Sequence, residues 1–292
     1  MLLPVNVTFG IVLAVLLAAA ACVAAVAHLG PGRAREMVVA GLRAAVQLGA
    51  VSLVIGWAVR SVPLLLAFLL VMYAVAVRTA GRRVTPNGTW WLTALPIGAG
   101  VVPVVAALLL TGLVPVKGIA LIPVTGILIG GGLTATVLAG RRALDELATR
   151  HGEVEAAMAI GLSDRDARLE VVRDAAADAL LPGLDQTRTV GLVTLPGAFV
   201  GMLLGGASPL QAGAVQLFVL VALMAVQAVA VAVVLELVSR GRLHRDLPAG
   251  SAKGADRARE GRGGARVRDA DRTGLVRGEE GPGSVMPTGP GS

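Results

Sequence analysis

Seven apolar runs divided by one long charged segment leave this chain few ways to fold. The runs are Val5 to Ala27, Val38 to Val59, Val62 to Val77, Trp90 to Leu110, Gly118 to Ala139, Thr189 to Leu204 and Leu210 to Val238; the charged segment is Gly140 to Arg188. Most of the runs match the roughly 20 residues that carry a helix across hydrocarbon. With 55% hydrophobic and 15% charged residues, a soluble core is excluded, and continuous rather than alternating apolarity excludes a barrel. The expected fold is all-α: a polytopic transmembrane helical bundle of about seven spans. The third and sixth runs, at 16 residues each, are short, so one of them is expected to be less tilted, broken or re-entrant.

Positive charge orients the bundle. With the N-terminus outside, the inner connections carry twelve arginines: Arg33, Arg35, Arg78, Arg82, Arg83, Arg141, Arg142, Arg150, Arg165, Arg168, Arg173 and Arg188. The outer connections carry Arg60 and Lys117. This asymmetry places the charged segment and the C-terminus in the cytoplasm. The first run lacks a basic leader and is read as a retained span. Residues 1–242 read as the membrane domain, with 140–188 as a cytoplasmic segment, and 243–292 as a tail. From Ala249 to Ser292 the tail is Gly- and Arg-rich without apolar periodicity, and disorder is expected. Basic residues without interleaved aromatics argue against nucleic acid as a partner. The lone cysteine, Cys22, lies in an apolar run and reads as a small buried hydrophobe.

Within the charged segment, Arg141 to His151 reads as an extension of the fifth run, with Glu146 four residues ahead of Arg150, and Gly152 as its break. A short helix follows, Glu155-Ala156-Ala157-Met158-Ala159-Ile160-Gly161, closed by its glycine. Ser163 and Asp166 then read as the capping box of an amphipathic helix with Leu169, Val172, Ala176 and Leu180 on one face, ended by Pro182. This layout presents a small, alanine-faced helix for docking into another protein.

No energy source is built in. The sequence has no Gly-x-x-x-x-Gly-Lys-Ser/Thr motif to cradle nucleotide phosphates, and among the seven runs only Glu236 is acidic. No cofactor is expected in this chain; ATP would sit on a partner ATPase. No His, Cys, Asp, Glu or Met cluster in the runs has metal-ligand spacing, so a tight dehydrated metal site is disfavoured and no catalytic site is expected.

Several residues are candidates for a translocation path or hinge. Arg43 lies about one turn inside the second run, with Gln47 one turn deeper. Arg43 either snorkels to the interface or pairs with backbone near the path, and Gln47 either lines a vestibule or bonds a neighbouring helix. Pro123, Thr125, Gly126 and Gly130 in the fifth run, and Pro196, Gly197, Gly201, Gly205 and Gly206 around the sixth, fit either flexible path-lining helices or close small-residue packing.

Glu155-Ala156-Ala157-x-x-x-Gly161 resembles the EAA loop of ABC-transporter permeases, whose coupling helix sits in a groove of the cytoplasmic ATPase. Arg43-Ala-Ala-Val-Gln47-Leu48, Ile122-Pro123-Val-Thr125-Gly126-Ile-Leu-Ile-Gly130, Val190-Gly191-Leu-Val-Thr-Leu-Pro196-Gly197 and Gly201-x-x-Leu-Gly205-Gly206-Ala-Ser-Pro209 are similar in order and spacing to the FetB-type permeases. That family comprises iron exporters and plant aluminium-tolerance relatives. Gly131 and Met202 depart from it, standing where members commonly carry Asn and Gln. The resemblance implies a permease subunit, a homodimer paired with a separate ATPase. Glu155, Ala156, Ala157 and Gly161 would couple it to ATP, and iron or a related metal would be exported across a bacterial plasma membrane. An ion-coupled secondary carrier and a non-transporting scaffold or sensor remain the rival readings.

Overall fold

The computed structural model describes residues 7–26, 31–112 and 118–245. The tail expected to be disordered lies outside them, as do Lys117 and the ends of the first run. The described residues are helical, with one isolated bridge, Val190 to Thr194, and no strand. Residues Met1–His244 form one compact unit, and Arg245 begins a second.

The first runs become α1 (Val7–Val26), α2 (Pro31–Ala58), α3 (Val62–Val84) and α4 (Ala94–Leu110), the last entered through a 3₁₀ turn at Trp90–Thr93. The fifth run and its charged extension form one helix, α5 (Gly118–Thr149), of 32 residues. Then come α6 (His151–Ala159), α7 (Asp164–Ala177), a 3₁₀ turn at Asp178–Leu180, α8 (Leu181–Thr189), α9 (Gly197–Leu204) and α10 (Pro209–Ser239). Gly32–Ala58, Val62–Val84, Trp90–Leu110, Ala120–Thr149 and Pro209–Ser239 are long and apolar enough to cross a membrane, and Gly10–Ala25 is a shorter apolar helix.

The third run is not short after all. Its helix continues through Arg78, Arg82 and Arg83 to 23 residues, carrying its charges beyond the apolar stretch. The sixth run, by contrast, is broken: α9 holds only eight residues, about 12 Å of helix.

The core lies between α5 and α10, with α3 and α4 closing it. Leu128, Ala135 and Ala139 of α5 meet Val226, Ala230 and Val234 of α10, with Ala80 and Val84 of α3 and Ile97 of α4 in the same cluster. Apolar side chains gain little by leaving lipid for one another, so close backbone approach and dispersion must hold these helices together. Gly100 supplies one such approach, since a methyl there would lie 2.7 Å from the Val226 carbonyl oxygen. Two polar side chains in the core find backbone partners: Tyr73 donates to the Ala94 carbonyl at 2.6 Å, and Thr93 to those of Val77 and Trp90 at 3.0 and 2.8 Å. The hairpin of α1 and α2 is more open, with none of the apolar window of α2 buried, against half of that of α5 and α10.

Candidate functional site

Two features stand apart from the packed core: a projecting helix at the charged end of the bundle, and a broken helix that enters it.

The projecting helix is α6. The break before it falls at Arg150 (φ −110°, ψ 30°), and Gly152 lies inside the first turn of α6, correcting the expectation that Gly152 interrupts the helix. A glycine in a first turn has little to disrupt, because its N–H has no intrahelical partner there. Arg150 staples the corner, reaching Glu146 at 3.6 Å and Glu153 at 2.5 Å. The Arg150 guanidinium holds the Glu153 carboxyl below its ordinary range, and Glu153 raises Arg150 in return.

Gly161 ends α6 as expected, at φ +103°, a conformation that costs a side-chain-bearing residue roughly 1–2 kcal/mol. Around it the chain forms a Schellman turn: Gly161 N–H donates to the Met158 carbonyl at 3.0 Å, and Leu162 N–H to that of Ala157 at 3.1 Å. One residue anchors the helix. Val154 is buried against Ala167 and Val171 of α7, with Ala157 and Leu162 alongside. Glu155, Ala156, Met158 and Ala159 face outward, and Ile160 is 81% exposed.

α7 links this helix to the spans. Ser163 caps it, accepting from Asp166 N–H at 3.2 Å and donating to the Asp166 carboxylate at 2.6 Å. That hydrogen bond, with the Arg165 guanidinium, lowers the Asp166 carboxyl below its ordinary value. The expected stripe of Leu169, Val172, Ala176 and Leu180 faces inward, and Val172 and Ala176 are joined by Ala179 in the core shared with α5 and α10. Arg165 clamps Glu236 of α10 at 3.0 and 2.6 Å, and Arg240 meets the same carboxylate at 2.5 Å.

Pro182 does not end this helix but begins the next. It occupies the first turn of α8, where a missing N–H costs no hydrogen bond. Here the structure adds what the apolar pattern concealed. Gly183 packs so closely on α10 that a methyl there would collide with the Gln227 carboxamide oxygen. Gln227 lies nine residues before Glu236, about 13 Å along α10 from the charged rim. Gly131 of α5, ten residues before Arg141, borders the same carboxamide at 3.6 Å. Gly183 therefore lies inward of the charged rim, beside the Gln227 carboxamide.

The crossing that was expected to start at Thr189 starts at Leu181 instead. It runs through α8, breaks, and finishes in α9. At the break the Thr189 carbonyl accepts from the N–H groups of Leu192, Val193 and Thr194, while Gly191 turns with φ +82°. The exposed side of α8 carries Asp185, Gln186 and Arg188, which lie in the charged stretch outside the apolar runs.

The other candidates are dispersed. Arg43 and Gln47 lie exposed on α2, and Pro123 and Gly130 are exposed on α5. Thr125 is 4% exposed and its hydroxyl has no partner; it borders an apolar cavity with Tyr73, Val101 and Ile129. Gly126 has the Met72 methyl 3.1 Å from where a Cβ would stand. Pro196 caps α9, and Gly197 and Gly201 open and line it with nothing within 4 Å of an added Cβ. Gly205 and Gly206 form the turn into α10, whose capping box joins Ser208 and Gln211. Among the described residues, no three His, Cys, Asp or Glu come together as a metal site.

A bundle of long apolar helices with a charged, capped helical elbow at one end defines a multi-pass helical membrane protein. The chain belongs to the UPF0014 family, described as an uncharacterised protein family, whose model matches residues 8–242. It is 35% identical over 193 residues to the rice "UPF0014 membrane protein STAR2", covering 65% of this chain and 67% of that one. It is 35% identical over 196 residues to "Protein ALUMINUM SENSITIVE 3" of Arabidopsis thaliana, covering 63% and 69%. To the "Probable iron export permease protein FetB" of Escherichia coli it is 29% identical over 126 residues, covering 43% and 48%. No solved structure matches.

Proposed function

We propose that this chain is the permease subunit of an ABC transporter, a homodimer in the bacterial plasma membrane that exports iron or a related metal. A separate cytoplasmic ATPase would dock on the Glu155 to Gly161 helix. The observation that carries this reading is mechanical. A helix with Glu155, Ala156, Met158 and Ile160 outward is tied at one end to α5 through the Arg150 corner and at the other to α10 through α7. Force applied to α6 reaches both central helices through short, packed connections. A solvated loop would lack the Val154 anchor and the Arg165 clamp. The relative named as an iron export permease supports the cargo, and the positive-inside bias supports a cytoplasmic α6 even with Arg188 moved into the bundle.

The test is co-purification of the chain with an ATPase, followed by ATP-driven metal movement in sealed vesicles. Glu155→Lys should abolish capture of the ATPase and leave membrane insertion intact. Loss of insertion would assign α6 a folding role instead. One observation favours the ion-coupled carrier as a second reading: Asp185 is an acid two residues from Gly183, which packs on α10, and the apolar runs did not include it. Cation movement driven by a proton gradient with no ATPase present would establish that reading.

A further inference from the structure

We propose that the exposed face of α8, Asp185, Gln186 and Arg188, lines a water-filled route through the membrane interior, and that Asp185 is the carboxylate a cationic cargo meets there. The route rests on the geometry alone; the cargo rests on the permease reading above.

Gly183 is fixed against Gln227, about 13 Å from Glu236 along α10, and Asp185 follows within one turn. The chain reaches this point from Asp178, which lies 3.9 Å from Arg142 at the charged rim. It leaves by α9, whose turn at Gly205 and Gly206 delivers it to the start of α10 at Pro209. Asp185 lies seven residues beyond Asp178, about 10 Å of helix inward from that rim.

Charges and interrupted backbone at that depth need water or protein around them. A charged side chain facing hydrocarbon costs several kcal/mol, and non-helical backbone in the membrane persists only where protein or a water-filled cavity surrounds it. Nothing within the described protomer covers this face. Arg188 reaches Asp185 through one contact of 3.4 Å, and the two side chains are 69% and 66% exposed. The neighbouring turn presents a second irregular stretch, from Val190 to Leu195. The outward side of α10 is apolar, with Leu217, Val221 and Val229, whereas α8 turns Asp185, Gln186 and Arg188 outward beside the exposed Leu192 and Val193 of the following turn.

Asp185 is also the acid best placed for a cation. Glu236 stands at the rim and is held by Arg165 and Arg240, whereas Asp185 has only the long Arg188 contact. One loosely held carboxylate gives a cation a weak, hydrated stopping point rather than a tight site, which suits passage.

Cys22 is the only cysteine in the sequence, so Cys22→Ser supplies a thiol-free background. In that background Gln186→Cys should react with a charged, membrane-impermeant thiol reagent at least about tenfold faster than Val229→Cys, because such a reagent partitions into water far better than into hydrocarbon. Manganese(II), a divalent cation of little redox activity, should slow the labelling of Gln186→Cys. Adding Asp185→Asn should keep the labelling and remove the protection. The proposal is overturned if folded Gln186→Cys resists the charged reagent, whether an apolar reagent labels it from lipid or nothing labels it within a protein contact. Protection that survives Asp185→Asn overturns the role of the carboxylate. If labelling and protection hold while the chain and its ATPase move no metal, the route stands and the permease reading fails. If metal moves while Gln186→Cys stays unlabelled, the permease reading stands and this route fails.

Discussion

Two neighbouring helical segments fold differently. α10 runs unbroken for 31 residues, with Pro209 in its first turn and buried side chains along its length. The segment before it crosses in two pieces, α8 and α9, with Gly191 and Pro196 between them. Proline and glycine are harmless at a helix start but costly within it, and here the paired Gly191 and Pro196 mark the break, although α4 and α5 continue through the single prolines Pro103 and Pro123. The broken one gathers the polar residues, because only a segment lined by water or protein tolerates freed backbone groups. The unbroken helix supports the fold, and the broken one is free to carry chemistry.

The largest expected effect sharpens the contrast between glycines that pack and glycines that do not. A methyl at Gly81 would collide with the Trp90 carbonyl oxygen, which is backbone and cannot swing aside. Gly81→Val should therefore cost about 3 kcal/mol or more, an upper-range overpacking penalty, and greatly reduce the folded fraction in detergent size-exclusion profiles. Gly201→Ala in α9 has nothing within 4 Å to meet, and its profile should match the parent. A folding defect at Gly201 would mean that α9 packs as tightly as α10 and would erase the distinction drawn here.

Next in size is the helix end at α6. Gly161→Val forces a β-branched residue to φ +103° and should loosen the Schellman turn by about 1–2 kcal/mol. Because the strain is local, the spans should still insert, while on the permease reading ATPase stimulation by cargo falls. Loss of the whole fold would show that α6 is part of the core rather than an appendage to it.

Legibility in the sequence follows the same division. Local signals were readable: the Ser163 cap, the Gly161 turn, the Glu146 to Arg150 pair and the inward stripe of α7 each depend on residues within one or two turns. Gly152 and Pro182 misled because the same residue that breaks a helix interior is at home in a first turn. The packing of α8 on α10 was hidden, since charge beside an apolar run reads as solvent and the contact that shows it, Gly183 on Gln227, joins positions 44 apart. The usable hint was length. A sixth run of 16 residues needed more chain to cross, and the helix drew it from the charged side. Glycine counts alone did not separate packing from openness, because Gly131 and Gly130 are adjacent and only Gly131 meets a neighbour.

A smaller effect is expected at the clamp between α7 and α10. Glu236→Gln removes the charge that Arg165 and Arg240 share, and the Glu236 side chain is partly exposed, so the loss of stability should be small. Amide exchange in α7 should rise while that in the buried stretch of α10 stays slow. Equal acceleration in both helices would mean that the elbow and the span unfold as one unit.

The smallest effect is the acid limit of the elbow. Glu153 and Asp166 both have folded-state pKa values below their ordinary ones, lowered by the Arg150 contact and the Ser163 hydrogen bond respectively. A carboxyl lowered on folding contributes stability that is fully present above its unfolded value and is lost as pH falls through the folded one. The elbow should therefore be indifferent to pH from about 5 to 8 and loosen only below about 4, the ordinary carboxylate range. Both groups are solvent-exposed, so the loosening should appear as faster exchange of the α6 and first-turn α7 amides rather than as unfolding. Asp166→Asn should remove part of that pH dependence while leaving the exchange of α10 unchanged. A transition between pH 5 and 8 would instead mean that the pH-sensitive element lies outside the Arg150 corner and the Ser163 cap.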